Sequence, residues 1–147
     1  MASYAVLTAL FNAIFAGFLL SVKRTGRTLP ERVALSDLLL LGVATHKLSR
    51  LITKDFVTSW LRAPFTRFQG SAGAGEVNEE VRGRGMRHAI GELLTCPFCT
   101  GQWVAAFFGY SLVLAPRVTR LVAAIFTLVA LDDFLHYAYS ATKQKAE

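Results

Sequence analysis

From Tyr4 to Val22 the chain carries no charged residue, and Thr8, Asn12 and Ser21 are its main polar interruptions. At about 1.5 Å of rise per residue, a helix over such a run approaches the ~30 Å thickness of a bilayer's hydrocarbon core. The run therefore predicts a transmembrane helix. Lys23, Arg24 and Arg27 follow it, whereas a secretory leader has its basic residues in front, so the segment reads as an uncleaved anchor.

Three further apolar segments follow, at Val33 to Thr53, Pro97 to Ala115 and Val118 to Ser140. With 53% hydrophobic residues in 147 and a mean hydropathy of +0.41, the chain is too apolar for an ordinary soluble domain of this length. The predicted fold is all-α, a small integral membrane helical bundle with three firm transmembrane helices. A fourth segment, 33–53, either spans or lies in the interface, because Lys47 and Arg50 could snorkel to headgroups. This divides the chain into an anchor with its basic turn over 1–32, a helical membrane core over 33–140 with a basic loop at 54–95, and a tail at 141–147.

The formal charge of +6 sits mostly between the apolar runs. Such placement suits anionic lipid headgroups and argues against a nucleic-acid partner. Arg82, Arg84 and Arg87 surround Gly83 and Gly85 without Walker spacing or a preceding strand, so they read as a lipid-facing basic patch. Gly70 to Gly75 reads as a flexible link, and Phe56 to Arg62 as a short interfacial helix or a plain connector.

Both cysteines lie in Thr95-Cys96-Pro97-Phe98-Cys99 at the entrance to the third apolar run. Cys-x-x-Cys spacing lets two sulfurs face one point, as in thiol-redox sites and half of a zinc site, and a helix N-terminus favours thiolate. A tetrahedral site needs more ligands. His136 and Asp132, near the end of the fourth run, are the candidates, with His88 or a second copy of the chain as alternatives. Zinc or iron is the metal such a set would take, although no cofactor is firmly indicated, and a packing role for the pair is weighed ahead of both. His46, Lys47 and Arg50 share a helical face, and Lys47 or Arg50 paired with Asp132 or Asp133 would fix helix packing. No nucleophile elbow or zinc-hydrolase spacing is present, so an enzyme is not the favoured reading.

Three blocks then carry a resemblance: Ala44 to Asp55, Leu61-Arg62-Ala63-Pro64-Phe65, and Gly91 to Trp103 with its Cys-Pro-x-Cys-x-Gly-x-Trp signature. In order and spacing they resemble the bacterial membrane family known as domain of unknown function 1360, which includes a sporulation-associated membrane protein. The resemblance implies a protein type without an established activity. The family residues that map onto this chain are Arg50, Asp55, Arg62, Pro64, Phe65, Gly91, Glu92, Cys96, Cys99, Gly101 and Trp103.

Two functions follow. One is a non-enzymatic structural or accessory component of the bacterial envelope, in which Gly101, Trp103 and Pro64 serve packing and Arg50, Lys47, Asp133, Asp55, Arg62 and Glu92 form a buried polar network. The alternative is a membrane metal-binding or thiol-redox protein built on Cys96 and Cys99. The expected location is the inner membrane, multi-pass, with the cysteines on the cytoplasmic side where the larger share of Lys and Arg falls. Expected partners are the bilayer and either a second copy or a larger membrane complex.

Overall fold

The computed structural model describes residues 1–146. In chain order it contains α1 (Ala2–Arg24), α2 (Leu35–Thr53), a 3-10 turn (Phe56–Thr58), α3 (Ser59–Arg62), β1 (Thr66–Gly73), β2 (Glu76–Val81), α4 (Met86–Thr95), α5 (Pro97–Leu114) and α6 (Pro116–Ala146).

Helix α2 is the central element, with α5 and α6 packed along it. Ala44 of α2 and Ala123 of α6 are fully buried, and Phe108 of α5 fills the space that these two small residues leave. Small side chains let helix axes approach, and one large ring restores packing density between them. Leu40, Leu48, Ile52, Val122 and Phe126 close around this core. Helix α1 lies outside it along α5, where the Phe11 and Trp103 rings meet edge-on at 5.2 Å and Phe18 stacks on Tyr110 at 4.5 Å. Its sole buried residue is Val22.

The elements define two ends. At one, Arg27 donates to the carbonyl of Val113 at 3.1 Å, and Arg120 of α6 grips Asp37 of α2 through two hydrogen bonds of 2.8 Å. At the other, the first turn of α1 touches α4 through a Tyr4 hydroxyl donated to Glu92, and the β hairpin closes over the end of α2. Backbone bonds hold the hairpin there, Val77 N–H to the Lys54 carbonyl at 2.9 Å and Phe56 N–H to the Gly75 carbonyl at 2.8 Å.

Two parts of the expected architecture are corrected. The fold is not all-α: β1 and β2 pair antiparallel from Thr66–Val81 to Gly73–Glu76, with irregularities after Phe68 and Ser71. The stretch read as a flexible link is therefore the end of β1 and the hairpin turn that follows it, with Gly73 and Gly75 at φ 138° and 77°, values that side-chain-bearing residues avoid. Nor is this a three-span bundle. Among the described residues, α1 is the one helix whose length and composition suit a membrane span. Helix α2 instead carries Asp37 and Lys47 turned towards α6 and Arg50 turned towards the hairpin.

Candidate functional site

A cavity of about 630 Å³ opens between α2, α6 and the hairpin turn. Helical spacing brings His46, Lys47 and Arg50 of α2 to its wall, and Asp133, His136 and Tyr137 face them from α6. Lys47 Nζ is 2.6 Å from Asp133 Oδ2 and 3.8 Å from Asp55 Oδ2, so one ammonium serves two carboxylates. Arg50 pairs with Glu76 at the start of β2. Each contact joins different elements, and the cluster fastens the hairpin and the Asp55 segment to the two long helices. Burial pushes the Asp55 carboxyl above the usual aspartate range; Lys47 opposes the shift, and the nearby Glu76 and Asp133 reinforce it.

A second polar centre lies beneath α3. Arg62 is fully buried, and its guanidinium donates to Glu79, to the Ile52 carbonyl at 2.6 Å, to Thr58 Oγ1 at 2.8 Å and to the Asp55 carbonyl at 2.9 Å. The planar five-donor fork of arginine suits this set, which a lysine could not satisfy. Glu79, with 5% of its side chain exposed, is buried beside it. Among the described residues no buried side-chain polar atom lacks a hydrogen-bond partner.

The cysteine turn is built differently. Cys96 caps α5, its Sγ accepting the Cys99 N–H at 3.2 Å, and Pro97 occupies the first turn, where its missing N–H costs nothing. Cys99 is exposed and Cys96 half-buried. The side-chain hydrogen bond with Cys96, followed by burial, pushes the Cys99 thiol up to about 11. A thiol held protonated in this way is a poor nucleophile at neutral pH. His136 and Asp132 pair with each other at 3.5 Å on an exposed face of α6. Glu92 is engaged by His88 at 3.2 Å and by Tyr4. Among the described residues no three His, Cys, Asp or Glu side chains converge to hold a metal, so the zinc or iron set drawn from Cys96, Cys99, His136 and Asp132 is not assembled.

The other singled-out residues fall in distinct places. Arg82 and Arg87 are not a free patch: Arg82 donates to the Ala63 carbonyl at 2.7 Å and Arg87 to the Pro64 carbonyl at 2.8 Å, while Arg84 stays exposed. Pro64 thus serves through its carbonyl. Trp103 packs on Phe11, but nothing lies within 4 Å of where a Gly101 side chain would begin. Sequence reasoning missed Glu79 and the Asp37–Arg120 pair. Glu79 sits in the alternation Val77, Glu79, Val81 on the inward face of β2, a period-two signal hidden by its own charge.

Fold and site together define a small, mainly helical protein with one candidate membrane span and an ion-paired hairpin cap. The chain belongs to the family described as Protein of unknown function (DUF1360), whose model matches residues 40–139. It is 30% identical over 111 residues to the sporulation protein YjcA of Bacillus subtilis, covering 74% of this chain and 94% of that one. It is 27% identical over 109 residues to the UPF0713 protein YngL of the same organism, covering 74% and 82%. No solved structure matches.

Proposed function

We propose that this chain is a membrane-anchored, non-enzymatic accessory protein of a bacterial envelope complex. The observation that carries the reading is α1, a 23-residue helix without an internal charge that leaves nearly all of its apolar surface outside the protein core. Leu10, Ile14, Leu19 and Leu20 are exposed on it, which in water would be a standing liability and in lipid is the stable arrangement. The ionic contacts of the large cavity act as fasteners between elements, since the Lys47 and Arg50 charges are met by Asp133, Asp55 and Glu76. Likeness to a sporulation protein adds support for a bacterial accessory role.

The reading is tested by flotation of the full chain with phospholipid vesicles after an alkaline carbonate wash. Wild type should float. Leu10→Arg with Ile14→Arg places two charges on the outward face of α1, each costing about 2.5–3.5 kcal/mol at the centre of an inserted helix, and should stay with the aqueous fraction. Wild-type protein that washes off, or a double variant that floats equally well, would overturn the anchor.

A further inference from the structure

Phe56, Val57, Trp60, Leu61 and Phe68 are all exposed, Trp60 at 70% of its surface. Phe56, Trp60 and Phe68 line one shallow depression of about 290 Å³, so residues scattered over the 3-10 turn, α3 and β1 form a single aromatic surface. Its floor includes Glu79, whose charge is answered by the buried Arg62. That surface is therefore apolar and held on a rigid base, and exposed Arg67 adjoins it in sequence.

Its position indicates what covers it. Helix α4 carries Glu92, which meets the first turn of α1, and Gly91, which rests against Phe65 just beyond α3. The aromatic surface thus lies at the same end of the protein as the first turn of α1, the level at which a membrane-crossing α1 would enter the headgroup layer. Tryptophan and phenylalanine fringed by arginine are the residues that partition into that layer. We infer that this aromatic face docks onto the anionic headgroup region of the membrane that holds α1, giving the protein a second, peripheral attachment beside its anchor. The inference rests on the anchor reading. Exposed Arg84 at this end complements anionic lipid, Glu79 beneath the aromatic rings is answered by Arg62, and Arg67, on the other face of β1 from Phe68, stands across from Glu80 in the hairpin register.

The experiment uses full-length protein reconstituted into vesicles of phosphatidylcholine and phosphatidylglycerol, with lipids brominated near the glycerol end of the acyl chain. Trp60→Phe is compared with wild type, so the difference in emission reports Trp60 while Trp103 is left intact. The difference signal should be blue-shifted, should lose the larger part of its intensity to brominated lipid, and should resist aqueous iodide. Replacing the phosphatidylglycerol with phosphatidylcholine should weaken the lipid quenching. A Trp60 signal quenched by iodide and indifferent to bromine would overturn the docking, as would one reached by neither quencher, which would mean cover by protein. Carbonate-resistant flotation of the same samples separates the two ideas: protein that floats with an aqueous Trp60 loses only this inference, and protein that does not float loses the anchor as well.

Discussion

Removing the Arg62 side chain would leave the Glu79 carboxylate buried at 5% exposure without a cation, and would strip donors from the Ile52 and Asp55 carbonyls. An isolated buried charge is costly, so Arg62→Met should destabilise the protein by about 3–5 kcal/mol in thermal unfolding in detergent. Adding Glu79→Leu should restore the larger part of that loss; a double variant as unstable as the single would assign the cost to the lost carbonyl bonds instead. Asp55 behaves with the opposite sign from a stabilising carboxylate. Its raised pKa means that the native state binds the proton more tightly than the unfolded chain does, so stability is fullest below about 4, the ordinary aspartate range, and declines as pH rises towards the shifted value. Asp55→Asn should flatten this decline in melting profiles across that interval, and an unchanged slope would remove Asp55 as its source. Arg62 and Asp55 were legible as residues of interest because both stand in motif blocks. Their partners were not, since the hydrogen bonds of Arg62 reach residues from Ile52 to Glu79 that only the folded hairpin brings together.

Among the elements, the hairpin and α4 are joined at a point where side-chain volume decides stability. A Cβ on Gly91 would lie 2.5 Å from Val81 Cγ1 and 3.0 Å from the Phe65 carbonyl oxygen. The valine can move, but that carbonyl already accepts the Arg82 N–H at 2.9 Å. Gly91→Val should therefore cost about 1–3 kcal/mol, the usual range for overpacking, and should expose the hairpin amides to faster hydrogen exchange. Gly101→Ala, in the open, should not lower the melting temperature. Equal effects at the two glycines would remove the contact with Val81 and Phe65 as the cause. The helices themselves were largely readable: apolar runs marked α1, α2 and α5 to within two residues, because run length is a local signal, whereas α6 continues past the expected Ser140 to Ala146, where the residues turn polar. The hairpin was not. Its turn and the end of β1 are glycine-rich, and the inward Glu79 breaks the apolar alternation that would have signalled a strand.

Over the whole molecule, α2 and α6 are clamped at both ends by ion pairs of different character. Asp37–Arg120 closes the end near the α1–α2 connection, and Lys47–Asp133 closes the end beneath the hairpin. Ten residues of helix separate Asp37 from Lys47, about 15 Å of rise, and the buried Ala44 contact with the α5–α6 core lies between them. Sites so far apart with no shared partner act independently. Asp37→Asn and Lys47→Met should each lower the melting temperature, and the double variant should fall by the sum of the two. The pH dependence separates them further. The hydrogen bonds from Arg120 hold the Asp37 carboxyl below its ordinary range, so its contribution is present above that range and is lost as pH falls through the lowered value. An acid titration of wild type should therefore converge on the Asp37→Asn profile at the acid end. Lys47→Met should keep the Asp37-dependent acid loss, because it leaves the Asp37–Arg120 pair intact. A double variant markedly less stable than the sum would show instead that α6 is held cooperatively, each clamp keeping the helix aligned for the other, and that the core around Ala44, Phe108 and Ala123 does not by itself set its position.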